Sequence, residues 1–154
     1  MDWNGEFALN GQVDEKILKS LLCHSYFSKS YPKSLDRFDF SSDTVKGLSL
    51  EDGCATLTAF CASTVGKALD MLPIRPTEII VCGGGRHNSV MLKEISIRGN
   101  VKAIPAEDRG FRGDAIEAEC FGYLAVRCLK KLPISFPNTT GVPVSMSGGK
   151  ICHV

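Results

Sequence analysis

The chain has 154 residues, 44% of them hydrophobic, which is enough to bury one sizeable core; residues 1–154 are expected to form a single domain or one lobe of a larger protein. Its formal net charge is +1, with basic and acidic side chains interspersed, and this argues against nucleic acid as the main partner because phosphate tracking needs a basic excess or stripe. The first residues lack the basic-then-apolar order of a secretion signal and no apolar run is long enough to cross a bilayer, so the expectation is a cytoplasmic protein with no membrane partner.

In chain order, Asp14 is placed to cap a helix carrying Ile17, Leu18, Leu21 and Leu22, expected to end near Tyr26. Residues 31–38 read as a polar connection. Ser49 opens the longest predicted helix, in which Leu50, Cys54, Leu57, Phe60, Cys61, Val65, Ala68, Leu69 and Leu72 recur at three-to-four spacing until Pro73 stops it. A strand over Ile79–Cys82, a glycine loop, and a helix capped by Asn88 and holding Val90, Met91, Leu92 and Ile95 come next. A short strand over Val101–Ile104 leads to a glycine-bearing loop, and Asp114 with Glu117 has the form of a capping box for a helix through Phe121, Leu124, Ala125, Cys128 and Leu129. The Pro-, Gly- and Ser-rich remainder holds one weak strand around Val142–Met146.

This alternation predicts an α/β fold with a small sheet flanked by helices and ligands at the carboxyl ends of its strands. Two firm strands and a weak one are few for this much helix, so the sheet is expected to be completed by something outside the chain. Apolar surface left by an absent neighbour implies either dimerisation or partial disorder near residues 1–12.

Seven cysteines form an odd set with no C-x-x-C pair, and they read as buried thiols in a reducing compartment. His24, His87 and His153 lack the spacing of metal ligands, so no protein-bound metal is expected.

The segment Ile79-Ile80-Val81-Cys82-Gly83-Gly84-Gly85-Arg86-His87-Asn88 carries the sharpest chemistry. Backbone without Cβ atoms can lie against a ligand, and a following helix would offer unpaired N–H groups and a positive dipole end. Gly83, Gly84 and Gly85 are therefore candidate phosphate or nucleotide contacts, with His87 and Asn88 positioned to reach base, ribose or phosphate. The spacing is neither the dinucleotide fingerprint nor a P-loop, and a plain strand-to-helix turn with a surface histidine and a helix cap remains the alternative.

Glu117 and Asp114 are open to two readings: cap and partner, or carboxylates accepting hydrogen bonds from substrate hydroxyls. Glu119 is expected to face solvent. Lys33 and Ser34 read as a solvated loop, and residues 138–141 as a turn whose hydroxyls could also touch a polar ligand.

Four motifs, Tyr31-Pro32-Lys33-Ser34-Leu35-Asp36-Arg37-Phe38-Asp39-Phe40, the segment Val81–Asn88, Gly113–Ala118 with Phe121–Ala125, and Phe136-Pro137-Asn138-Thr139-Thr140-Gly141, resemble in order those of the anhydro-N-acetylmuramic acid kinases. The resemblance implies one lobe of an actin-like ATPase (ribonuclease H-like) fold. It implies ATP with Mg2+ as cofactors and phosphorylation of 1,6-anhydro-N-acetylmuramic acid coupled to opening of its anhydro ring by water, in recycling of cell-wall sugars. It covers the family's C-terminal half, so the first phosphate loop and the aspartate acting as general base are expected upstream, in an N-terminal lobe supplied separately. No catalytic residue carries over; Gly83, Gly84, Gly85, His87 and Asn88 carry over as the nucleotide side, and Glu117 with Asp114 as the sugar side. The competing readings are an inactive remnant serving as a binding or self-association module, and another ATPase of the same fold. Ser89-Val90-Met91-Leu92 and Gly148–Ile151 depart from the family pattern.

Overall fold

The computed structural model describes residues 2–36 and 38–152; Arg37 of the first motif and His153 lie outside the described residues. Helix α3 (Leu50–Asp70) is the organising element. Ser49 caps it by accepting a hydrogen bond from the Asp52 amide at 3.1 Å, and the acidic pair Glu51 and Asp52 sits at the positive end of its dipole. Its buried positions, among them Ala55, Thr56, Ala59, Phe60, Ala62 and Leu69, run round more than one face, which is why it can be packed on both flanks.

On one flank lies α2 (Glu15–Leu22), started by Asp14, whose Oδ1 accepts from the Lys16 and Ile17 amides at 2.9 Å each. The fully buried Thr56 hydroxyl accepts from the Asp14 amide at 2.9 Å, tying the start of α2 to the middle of α3. Leu18, Leu21, Ala59 and Phe60 form the core here, with Phe27 and Phe40 packed edge-to-face on Phe60 at centroid separations of 6.2 and 4.9 Å. On the other flank, Ala62 and Leu69 meet Ile95 and Val101 over the sheet and its connecting helix. Each such fully buried aliphatic side chain stabilises the fold by roughly 1.5–3 kcal/mol before its entropic cost.

The sheet has two strands among the described residues. Strand β1 (Glu78–Val81) pairs in parallel with β2 (Lys102–Pro105), Ile79 opposite Ala103 and Ile80 opposite Ile104, and α4 (Ser89–Arg98) makes the crossover. The outer edge of β2 is blunted: the Ala103 amide donates to Ser96 Oγ at 3.1 Å and Pro105 has no N–H. The β1 side keeps Ile80 exposed. Helix α5 (Ile116–Leu129) has no buried residue, and Phe121, Tyr123, Val126 and Leu129 face outward. It precedes a single helical turn, α6 (Pro137–Thr140), closed by Gly141 in the left-handed conformation.

Several expectations are corrected. Residues 3–10 are folded, as a 3-10 turn over Trp3–Gly5 followed by α1 (Glu6–Asn10), because the Asp2 carboxylate accepts from the Phe7 and Ala8 amides and α1 packs on α3. Helix α2 stops at Leu22 instead of near Tyr26, where the His24 ring accepts from the Tyr26 amide and starts a separate 3-10 turn over Ser25–Ser28. Val142–Met146 is no strand but one bridge between Ser135 and Met146, with Pro143 denying the segment a regular ladder. The cysteines are not buried: all seven are free, five exposed and Cys54 and Cys128 half-buried, because the helix faces that carry Cys61, Cys120 and Cys128 are not the packed ones.

Candidate functional site

The glycine loop sits at the carboxyl end of β1, where strand pairing stops. Gly83 has φ 71° and ψ −172°, a conformation in effect reserved for glycine. Gly84 and Gly85 are different: neither has a positive φ, and a Cβ built on either meets nothing within 4 Å. Neither the backbone nor any neighbour among the described residues requires glycine at these two positions.

The loop does not run straight into a helix, as expected from sequence. A 3-10 turn over Gly84–His87 intervenes, and α4 begins at Ser89 with its N-cap filled by Asn88, whose Oδ1 accepts from the Met91 amide at 2.8 Å. The dipole end of α4 is thus closed by a side chain, while the carboxamide nitrogen of Asn88 makes no hydrogen bond among the described residues. Gly84, Gly85, His87 and Asn88 line an open cleft of about 710 Å³ together with Asp2, Trp3 and Asn4.

Behind the loop, Arg86 is the best-anchored side chain of the region. Its side chain is 2% exposed; Nε donates to Glu107 Oε1 and Oε2 at 2.9 and 3.0 Å, and Nη1 donates to the Gly83 carbonyl at 2.9 Å. Nη1 also meets Asp114 Oδ1 at 2.8 Å. Glu107 belongs to a 3-10 turn over Ala106–Arg109 that follows β2, and its Oε1 accepts from the Gly113 amide at 3.2 Å. The Gly83 amide in turn donates to the Gly113 carbonyl at 3.3 Å. A Cβ on Gly113 would lie 2.2 Å from Arg86 Nε, so this glycine is required by close packing.

Charge follows geometry. Arg86 is held above its ordinary pKa by its hydrogen bond to Asp114 and then by Glu107, against the opposing effect of burial. The Asp114 carboxyl is lowered, first by Arg86 and less by His87, whose Nε2 stands 3.7 Å away. Glu107 is lowered too, chiefly by a hydrogen bond with its own backbone amide, with Arg86 and the Gly113 amide adding to it.

Asp114 and Glu117 do not form the capping box their spacing suggests. The N-cap of α5 is Ala115, which makes no side-chain cap, because the Asp114 carboxylate is turned to Arg86. Glu117 is exposed and makes no hydrogen bond or ion pair among the described residues, and Glu119 is exposed as expected and pairs there with Arg112. Lys33 and Ser34 lie with Pro32, Thr139 and Thr140 around a separate hollow of about 300 Å³, although Lys33 Nζ is spent on the Tyr26 and Lys29 carbonyls. Among the described residues no group of three or more His, Cys, Asp or Glu is placed to hold a metal ion.

The family profile described as anhydro-N-acetylmuramic acid kinase matches residues 1–153. The chain belongs to the anhydro-N-acetylmuramic acid kinase family. It is 57% identical over 153 residues to the anhydro-N-acetylmuramic acid kinase of Rhizobium rhizogenes, covering 99% of this chain and 41% of the relative. Against the proteins of the same name from Mesorhizobium japonicum and Brucella anthropi it is 55% and 56% identical over 151 residues each, again covering 41% of the relative. The chain therefore spans about two fifths of the length of the curated relatives it matches. Its four anhydro-N-acetylmuramic acid kinase motifs converge in pairs: the glycine loop and the Gly113 segment meet at Arg86, and the Tyr31 and Phe136 segments meet where Pro32 packs beside Gly141.

Sequence reasoning missed Arg86, Glu107 and Trp3. Arg86 stands directly after three glycines, a place where a long cation can fold back on the loop, but its partner 21 residues on has no local spacing to reveal it.

Proposed function

We propose that this chain is the nucleotide-facing lobe of an anhydro-N-acetylmuramic acid kinase with the actin-like ATPase fold, acting in the cytoplasm with ATP and Mg2+ across a cleft shared with a second lobe that residues 1–154 do not include. The observation that carries the reading is the pair Gly84 and Gly85, which the fold itself does not need as glycines and which border an open cleft. Side-chain-free backbone beside open space suits close approach of a ligand, and a nucleotide is what the kinases named above imply.

In this reading the loop positions the nucleotide and Arg86 holds the loop. Asp114 and Glu117, three residues apart around the start of α5 and outside that cleft, accept hydrogen bonds from hydroxyls of the anhydro-sugar. Glu117 suits that role because its carboxylate is exposed and uncommitted. Mg2+, where bound with the nucleotide, would supply neutralisation of phosphate charge. Transfer itself requires in-line positioning, a base for the attacking water and closure of two lobes, and in this reading the base belongs to the other lobe.

The test is reconstitution. The chain alone should bind Mg-ATP without turning over anhydro-N-acetylmuramic acid, and mixing it with the remaining portion of a relative should restore sugar phosphorylation. Turnover by the purified chain alone would overturn the division of labour. The exposed apolar face of α5 favours one second reading, an inactive module that self-associates. A concentration-independent monomer in sedimentation would remove it.

A further inference from the structure

Trp3, the single tryptophan of the chain, is 72% exposed and makes no ring or cation contact among the described residues, yet it is not left on a loose end. Asn4 is held at φ 55°, Gly5 at φ 80° and buried, and a Cβ on Gly5 would lie 2.4 Å from Asn88 Oδ1 and 2.8 Å from Val90. The turn is thereby wedged against the start of α4, and the Asp2 carboxylate locks its other side onto α1. The result is a held backbone that carries a large flat ring into the lining of the cleft it shares with Gly84, Gly85, His87 and Asn88.

We propose that Trp3 is the stacking surface for the base of the bound nucleotide, with the uncommitted carboxamide nitrogen of Asn88 donating to an acceptor on the base or ribose. The proposal rests on the nucleotide reading above and assigns which end of the nucleotide enters the cleft. Neither lysine nor arginine lines this space, which disfavours the polyphosphate end here. A sugar ring would also stack on indole, but sugar sites supply several carboxylate acceptors, whereas among the described residues Asp2 is the one carboxylate lining the cleft, and each of its oxygens already accepts one amide, from Phe7 or Ala8. A planar, uncharged heteroaromatic ring is what remains, and stacking on an exposed indole suits it.

Because Trp3 is the only tryptophan, its emission reports the contact directly in the full chain. Adenosine and Mg-ATP should each change Trp3 fluorescence saturably, and inorganic tripolyphosphate should not. By calorimetry, Trp3→Ala should weaken Mg-ATP binding about tenfold and Trp3→Phe by no more than about threefold, in line with the usual size of base stacking. Mg-ATP binding seen by calorimetry without any fluorescence change, or with Trp3→Ala unaffected, overturns the stacking role while leaving the nucleotide reading standing. A response to anhydro-N-acetylmuramic acid but not adenosine overturns the choice of base over sugar. Absence of Mg-ATP binding to the chain overturns both. Trp3 is exposed, so circular dichroism of both variants should match the parent.

Discussion

Arg86 Nη1 reaches Asp114 Oδ1 at 2.8 Å and the Gly83 carbonyl at 2.9 Å, so one buried guanidinium ties the loop after β1 to the loop before α5. The two segments proposed to face nucleotide and sugar share a single cation, and substitutions there should act on both.

Arg86→Met should therefore lower Tm by about 5 °C and weaken Mg-ATP binding, since it removes every bond that holds Gly83 to Glu107 and Asp114 through this side chain. Arg86→Lys should recover part of the stability but less of the affinity, because an ammonium cannot reproduce the forked geometry. Thermal unfolding and calorimetry of the two variants check this.

Asn88 separates capping from ligand contact. Asn88→Asp keeps an oxygen for the Met91 amide and should hold stability close to the parent, while Asn88→Ala should cost about 1 kcal/mol of folding free energy. If the carboxamide nitrogen serves the nucleotide, Asn88→Asp weakens Mg-ATP binding despite its intact cap; equal affinity of Asn88→Asp and parent would leave Asn88 a cap alone.

Glu117→Gln should leave Tm within about 1 °C, as Glu117 makes no hydrogen bond or ion pair among the described residues, and should depress sugar turnover in the reconstituted enzyme. A loss of stability matching any loss of turnover would assign Glu117 to the helix instead of the sugar.

The pH response has a definite sign. Asp114 and Glu107 are both lowered in the fold from ordinary values of 3.8 and 4.5, so their contribution is complete above those values and is lost as pH falls through the lower folded ones. Arg86 is raised from an already high value and stays charged throughout. The side-chain carboxyl resonance of Glu107 should hold steady through the neutral range and move only below the ordinary carboxylate range. Movement centred near neutrality would contradict this assignment.

Much of the fold was legible because its signals are local. Asp14, Ser49 and Asn88 cap the helices they precede, and the two strands lie within one residue of the stretches their apolar runs mark. What escaped depends on distance in the chain. Asp114 looked like a cap because Glu117 follows at capping-box spacing, but a buried arginine 28 positions earlier takes its carboxylate. Cys61 and Cys128 looked buried because a helical period marks a face without saying whether a neighbour covers it. The folded start of the chain was missed because its anchor, Asp2 to the Phe7 and Ala8 amides, and its packing on α3 leave only a short helix with no apolar period.

The central claim is that Gly84 and Gly85 are glycines for the sake of a nucleotide. Calorimetric titration of Mg-ATP into the full chain and into Gly84→Val tests it most directly, with Gly83→Ala as the contrast. Gly84→Val should lose at least about tenfold in affinity with Tm little changed, since its side chain enters open space, whereas Gly83→Ala should lose about 1–3 kcal/mol of stability from its strained backbone. Affinity for Mg-ATP that is the same in Gly84→Val and in the parent would contradict the account and return the loop to an ordinary turn.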